Sequence, residues 1–481
     1  MTQKITSVLI GISMFSSILA QSVLPPATQQ SILESVDRGR QVYKQTALQI
    51  WELAEVGYKE EKSSALLQQL LQSKGFTIEK GVAGIPTAFI ASYGSGTPVI
   101  AVLAEFDALP GISQTADPVK TSAGKPAGHA CGHHLFGVAA AAAGIAIKQQ
   151  LESGKLKGTI RIYGCPAEEG GSGKVYLVRA GLFKDVDAAI HWHPGNSNAV
   201  TMTSALANMS AKFRFHGISA HAAAAPEKGR SALDAVESMD YMVNLMREHV
   251  PQETRIHYVI TQGGKAPNVI PDFAEVYYYV RHPKRAQVQQ IFNRVVKTAE
   301  AAAMGTETTV DYEMIGGTHD LLINRTLAEA MQKRLEQVGG ISYTSEEEQY
   351  ARKIQATLTG EIPDLKEAGK VQPLKPESEA GGGGSTDVGD VSYTVPTVGL
   401  RTATWVPGTP AHSWQAIACG GTDIGIKGMQ LAAQVMALTA ADLFTNPTLL
   451  EAAKNEFKKD VGAYQYKALL GDRTPTLNYR D

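Results

Sequence analysis

Apolar residues recur every three to four positions in "QQSILESVDRGRQVYKQTALQIWELAEV" and again in "SSALLQQLLQSKGF", a spacing that predicts two amphipathic helices. The period then shortens. "TAFIASYG" and "PVIAVLAEFD" read as strands, the second apolar enough to be covered on both faces. An alanine-rich run from Val138 to Leu151 predicts a helix, "GTIRIYGCPAEE" a strand, "KVYLVRAGLF" a short helix and "DAAIHWHP" another strand. This alternation predicts an α/β fold, a mixed but largely parallel sheet flanked by helices.

The rhythm changes near Asn208. "NMSAKFRFHG" predicts a strand, Arg230 to Val250 a helix, "RIHYVITQGG" and "AEVYYYVRHP" two strands, Arg285 to Met304 a helix and "ETTVDYEMIGG" a last strand. That βαββαβ order is the ferredoxin-like α+β unit, so a second domain is expected as an insertion into the first. The expected organisation is a leader at 1–20, a first domain in two parts at 21–206 and 319–481, and the inserted domain at 207–318. The Gly381–Gly384 run within "EAGGGGS" reads as a flexible loop, either a surface connection or an edge of the active site.

Composition narrows the possibilities. A chain of 481 residues with 19% charged residues describes an ordinary globular protein of about two domains. Its formal net charge of −2 gives no electrostatic case for nucleic acid or an anionic membrane. The start, "MTQKITSVLIGISMFSSILAQSVLPP", has Lys4 before an apolar stretch and Leu19-Ala20-Gln21 as a cleavage point, the pattern of a secretory signal peptide. Export to the periplasm or outside the cell is therefore expected, with a cytoplasmic location as the alternative if the segment is not a signal. Three cysteines, Cys131, Cys165 and Cys419, are too few to staple a chain of this length.

The chemistry gathers in four short stretches. "AGHACGHHLFG" carries Cys131 and His133, which can turn to one ion from an extended loop; a thiolate can bridge two divalent metals and an imidazole supplies a neutral nitrogen. "CPAEEGG" ends a predicted strand with Glu168 and Glu169, "IHWHPG" ends the next with His191 and His193, and "GTPAHSW" offers His412. Sheets of this kind place ligands at the carboxyl ends of strands, where these pieces can converge. Neighbours in an extended segment point opposite ways, so one glutamate is expected to bind metal and the other to face substrate as a general base. His129, His134 and His191 read as structural or supporting histidines, Cys165 and Cys419 as buried apolar residues, and Asp107 as either a ligand-orienting carboxylate or a turn residue.

"GHACGHH", "PAEEGG", "HWHP" and "GTPAHSW", in this order, resemble the motifs of the co-catalytic metallo-amidohydrolases of the aminoacylase/carboxypeptidase superfamily. "GRSALDAVESMDYMVN", "APNVIPDFAEVYYYVR" and "STDVGDVSYTVPTV" resemble the B-type chains of p-aminobenzoyl-glutamate hydrolases. The resemblance implies a two-metal hydrolase domain with an inserted lid or dimerisation domain. Residue by residue, it implies Cys131, His133, Glu169, His193 and His412 as ligands of two divalent ions, zinc or manganese, with Glu168 as the base. It further implies that His221, in "GISAHAAAAP", reaches a partner's site, and that Asn268 and Arg281 hold a substrate carboxylate. His134 stands where many relatives carry Asp.

The activity so implied is cleavage of an N-acyl amino acid, with p-aminobenzoyl-glutamate as the leading substrate, by a homodimer or a heteromer with a related chain. A general aminoacylase or dipeptidase is the alternative within the enzyme class. Outside it stands a non-catalytic exported ligand-binding protein on the same scaffold, against which the presence of a base beside five ligands argues.

Overall fold

The computed structural model describes residues 24–378 and 383–480; the expected leader, 1–20, lies outside them. The first helix, α1 (Pro26–Leu53), starts on a proline whose missing N–H no helical bond requires, and it ends where Ala54 turns left-handed. After α2 (Glu61–Ser73) come β1 (Thr77–Lys80), β2 (Phe89–Ser95) and the wholly buried β3 (Val99–Ala104), and then a small pair, β4 (Leu109–Pro110) and β5 (Ala127–Gly128). Next follow α3 (His133–Glu152), β6 (Gly158–Gly164), α4 (Gly173–Arg179), β7 (Ala188–Gly195) and β8 (Ala199–Val200).

The large sheet, completed by β13 (Thr397–Ala403), has the order β1-β2-β6-β3-β7-β13-β8. Its four central strands are parallel, whereas β1, β2 and β8 join antiparallel at the edges. The expectation of a mixed, largely parallel sheet thus describes its centre. Parallel strands must be covered on both faces; β3 is accordingly apolar throughout, and the apolar α3 packs over β3, β6 and β7.

The inserted unit holds β9 (Ala207–His216), α5 (Ala232–Met246), β10 (Arg255–Gln262), β11 (Phe273–His282), α6 (Arg285–Thr306) and β12 (Thr309–Thr318). Its sheet order is β10-β11-β9-β12, all antiparallel, with both helices on one face. Ala274, Val276, Tyr278 and Val280 point into that helical face, so the alternation of β11 turns the half-buried Tyr277, Tyr279 and Arg281 to the other face. The chain then returns to the first domain through α7 (Arg325–Val338), α8 (Ser345–Gln355), α9 (Val388–Ser392), α10 (Trp414–Gly420), α11 (Asp423–Thr445) and α12 (Pro447–Val461). Of the glycine run, Gly381 and Gly382 fall outside the described residues; the Gly384 carbonyl accepts from Leu206 N–H at 3.0 Å. No helix among the described residues is long and apolar enough to cross a membrane.

Two local expectations need correction. The helix expected from Val138 starts at His133, so Cys131 and His133 do not share an extended loop. Between them Gly132 is left-handed (φ 81°), and a Cβ there would lie 2.7 Å from Pro194, which only glycine tolerates. Glu168 and Glu169 likewise lie beyond the end of β6, in a tight turn rather than an extended segment, because Ala167 is left-handed at φ 56°.

Candidate metal centre

The carboxyl ends of β3, β6 and β7 meet the start of α3 and the loop before α10. Among the described residues, potential ligand atoms gather in three groups, each with all its atoms within 4.8 Å of one another. One is Cys131, His133 and His193; the second is Cys131, Glu169 and His412; the third is Glu105, His133 and Glu168. All five residues expected as ligands therefore come together, and Cys131 belongs to both of the first two groups, as a bridging thiolate would. Cys131 Sγ lies 3.4 Å from His193 Nε2, and His412 Nε2 lies 3.1 Å from Glu169 Oε1. His412 reaches inward from an exposed, left-handed position (φ 59°) fixed by its N–H on the Ala130 carbonyl at 2.9 Å.

Three buried atoms at this centre make no well-aligned hydrogen bond: His133 Nε2 and Glu105 Oε2, which face each other at 3.1 Å, and Glu169 Oε1, which faces His412 Nε2 at 3.1 Å. Buried polar atoms are rarely left so. A thiolate, imidazoles and carboxylates in one place are a donor set for a divalent transition ion, which would give His133 Nε2 and Glu169 Oε1 a partner. The residues fit the metal.

The surrounding polar contacts orient these donors. Asp107 Oδ1 accepts from His133 Nδ1 at 2.8 Å while its Oδ2 accepts the Glu169 N–H at 2.8 Å, so one carboxylate fixes a histidine and the glutamate turn together. Of the two sequence readings of Asp107, the orienting one has the contact it requires, the hydrogen bond to His133. The turn is also held by Glu60, which accepts the Ala167 N–H at 2.8 Å, and by the Tyr58 hydroxyl, which donates to the Gly171 carbonyl at 2.6 Å. Ala167 and Ser172 both carry positive φ, strain of the kind that persists where surrounding contacts over-determine the backbone.

Beneath the centre lies a buried ionic group. Lys174 Nζ sits 2.6 Å from Glu105 Oε1 and 2.7 Å from Asp387 Oδ1, with none of the three side chains more than 1% exposed. Burial opposes the lysine's charge, but Asp387 and Glu105 hold its pKa well above the ordinary value. Glu168 is pushed well above the usual carboxylate range by burial first, and then by the charges of Glu105 and Glu169. Burial also pushes the Cys131 thiol up and His193 down, so in each case the neutral form is favoured until a cation arrives.

Sequence reading missed Glu105 and Lys174. Glu105 had a signal: a carboxylate immediately after the wholly apolar β3, two residues before Asp107. Lys174 had none, since a lysine opening a short helix reads as a solvated residue. The supporting histidines are buried, His129 Nε2 against the Ile50 carbonyl and His134 Nε2 against that of Gly420, both at 3.0 Å. Trp192 is also buried, donating to the Phe136 carbonyl.

His221, Asn268 and Arg281 lie elsewhere, on the inserted unit. His221 is exposed, its Nδ1 accepting the Ala223 and Ala224 N–H groups at 3.2 Å, and the Asn268 carbonyl accepts the Ala222 N–H at 3.0 Å. Arg281 has a buried Nε without a partner and lies 5.3 Å from the Tyr279 ring. Among the described residues, no hydrogen bond or ion pair joins these three to the metal groups.

A family model described as a peptidase dimerisation domain matches residues 206–307. The B component of the p-aminobenzoyl-glutamate hydrolase of Escherichia coli (strain K12) is 43% identical over 459 residues, covering 90% of this chain and 95% of that protein. The chain belongs to the M20 peptidase family. Another relative, the Xaa-Arg dipeptidase of Mus musculus, is 29% identical over 88% of this chain and 91% of its own length. Among solved structures, a dinuclear metal-binding M20 peptidase from Bacillus subtilis superposes with a TM-score of 0.58 at 18% identity, over 85% of this chain and 99% of the other, a likeness of fold. Like other M20 proteins the chain is a hydrolase of amide bonds, with a dimerisation domain inserted into an α/β catalytic domain.

Proposed function

We propose that this M20 hydrolase cleaves the amide bond of an N-acyl amino acid, p-aminobenzoyl-glutamate being converted to p-aminobenzoate and glutamate. The observation that carries the reading is the convergence of three ligand groups, the first joined to the second through Cys131 and to the third through His133, with Glu168 in the third. The identity to one component of a p-aminobenzoyl-glutamate hydrolase supports the substrate. Cys131, His133, Glu169, His193 and His412 would hold two divalent ions, zinc or manganese. When bound, such ions supply Lewis acidity, lowering the pKa of a water and polarising the amide carbonyl.

The protein's own groups do the rest. Glu168 accepts the proton of the attacking water and returns it to the departing amine. Its glutamate neighbour is directed elsewhere by the turn at Ala167, so base and ligand keep separate duties. Arg281, with its unpartnered buried Nε, and Asn268 bind the free α-carboxylate of the amino-acid half, the planar guanidinium matching two carboxylate oxygens. His221 reaches the site of a second copy and donates to the oxyanion of the tetrahedral intermediate. The exposed strand β10, which presents Tyr258, Val259 and Ile260 beside Tyr241 and Leu245 of α5, is an apolar sheet edge suited to pairing with that copy. The Escherichia coli relative is named as one of two different components, which makes a heteromer with a related chain the second form of this assembly. The leader at 1–20 is proposed to export the protein, which amino-terminal sequencing of the protein from cell fractions tests.

Blocking the substrate's α-carboxylate as an amide should lower kcat/KM by about 2 to 5 kcal/mol in transition-state terms, because Arg281 is left unpaired. Equal turnover of acid and amide removes the clamp. Faster turnover of neutral dipeptides makes the enzyme a dipeptidase, the activity named for the mouse relative. Mixing inactive His221→Ala with inactive Glu168→Gln protein should restore activity through mixed dimers; no recovery under demonstrated exchange between dimers contradicts the shared site.

A further inference from the structure

Beyond α12 the chain runs on to Arg480 without a helix or strand. An irregular tail of this length is ordinarily loose. This one is pinned along its whole course. Tyr464 Oη lies 2.8 Å from His319 Nε2, and the Tyr466 hydroxyl donates to Asp390 Oδ1 at 2.7 Å. Ala468 and Leu470 pack into the core of the catalytic domain, while Leu469 between them packs into the core of the inserted domain. The seat for that tripeptide is cut by Gly317 of β12, where a Cβ would lie 2.6 Å from the Leu470 nitrogen.

Further on, Arg179 of the catalytic domain donates to the Gly471 and Arg473 carbonyls at 2.7 Å, while Arg473 donates to the Ile315 carbonyl of β12 at 2.6 Å. The tail therefore bonds to both domains within a few residues. Its end returns to the metal centre. The Tyr479 ring meets the Tyr58 ring edge-on at 5.5 Å, over Gly57, where a Cβ would lie 2.2 Å from the Tyr479 hydroxyl. That hydroxyl donates to the Glu169 carbonyl at 3.1 Å, and the Arg480 guanidinium donates to the same oxygen.

We propose that the segment from Ala463 to Arg480 is a strap joining the two domains, and that Tyr479 and Arg480 are positioning residues for the turn carrying Glu168 and Glu169. With Asp107 on the Glu169 N–H and the strap on the Glu169 carbonyl, both peptide groups of that residue are fixed. The side chains of Glu168 and Glu169 then project from a backbone held on both sides of Glu169. Two glycines give way to the strap, so its seat is built into segments distant in sequence. The inference rests on the assignment of Glu168 as base and Glu169 as ligand.

The test uses full-length protein carrying Arg480→Ala, Tyr479→Phe or both; Tyr479→Phe keeps the ring on Tyr58 and removes only the hydroxyl. Amide hydrogen exchange of the 167–173 segment should quicken at least about tenfold in the double variant, with the strands of both sheets still protected. In the same protein kcat should fall about tenfold or more with KM little changed, the range seen when groups supporting a metal ligand are removed. Arg480→Lys, which can still donate to the carbonyl, should recover part of both. Exchange at 167–173 equal to that of the unaltered protein in the double variant overturns the strap. If the unaltered protein hydrolyses no acyl amino acid, the assignment of Glu168 and Glu169 fails, and the exchange measurement still decides the strap.

Discussion

Asp107→Asn is the substitution that asks most of the metal centre for the smallest change in shape. The carboxylate accepts from His133 Nδ1 through one oxygen and from the Glu169 N–H through the other, both at 2.8 Å, in a fully enclosed position. Asparagine offers one acceptor and one donor, so one of the two N–H groups must face an NH2. A hydrogen bond to a charged group contributes about 1.5 to 3 kcal/mol, and a buried donor left unsatisfied costs about 1 to 3 kcal/mol. Part of this loss falls on folding stability and part on the site, since Asp107 orients a histidine and a glutamate in different groups. Removing such an orienting partner lowers metal affinity or activity about 10- to 100-fold, equivalent to about 1.4 to 2.7 kcal/mol. The assay is metal affinity by competition with a chromophoric chelator, with kcat measured on the same preparations at saturating metal. Affinity should weaken by one to two decades while the melting curve remains cooperative. Affinity and kcat both within twofold of the unaltered protein would refute the claim that Asp107 organises the centre.

Lys174→Met leaves Glu105 and Asp387 as uncompensated buried carboxylates, and denaturant unfolding should show a loss of about 3 to 5 kcal/mol; an unchanged midpoint contradicts the buried ionic group. Glu60 is pushed up to about 8 by burial and then by the Asp107 charge, against an ordinary value of 4.5, so its stabilising contribution is complete below about 4.5 and is lost as pH rises through about 8. Glu60→Gln, which mimics the protonated acid, should gain in Tm relative to the unaltered protein between pH 5 and 8.5, and parallel curves would count against the shift. Glu168→Gln should keep its metal while turnover drops at least about a hundredfold, whereas Glu169→Gln should lose metal; the reverse pattern exchanges the two roles.

Much of this architecture was legible along the chain because its elements are long and strongly periodic. The βαββαβ order of the inserted domain follows from strand alternation and helical spacing alone, and its sheet order β10-β11-β9-β12 is the one that order favours. The ligand stretches were visible as polar residues placed at the ends of apolar strands. Less legible were features decided by a single dihedral. Gly132 and Ala167 turn left-handed, which starts α3 at His133 and folds Glu168-Glu169 into a turn, and nothing in the spacing of apolar residues reports that. Lys174 looks like a surface charge until the fold buries it against Glu105. The contacts of Tyr479 and Arg480 join positions more than 300 residues apart, beyond any local pattern.

The central claim is that this chain uses a Cys131-centred metal pair and Glu168 to cleave an acyl–amino-acid amide, and one measurement addresses it most directly. Purified protein is stripped with chelator, then supplied with zinc or manganese, and release of p-aminobenzoate from p-aminobenzoyl-glutamate is followed beside metal content for the unaltered, Cys131→Ala and Glu168→Gln proteins. The account predicts close to two ions per chain and metal-restored hydrolysis for the unaltered protein. It predicts loss of both metal and activity in Cys131→Ala, and retained metal without turnover in Glu168→Gln. A Cys131→Ala protein that stays metal-replete and fully active, or an unaltered protein that hydrolyses the substrate equally well after complete metal removal, would contradict it.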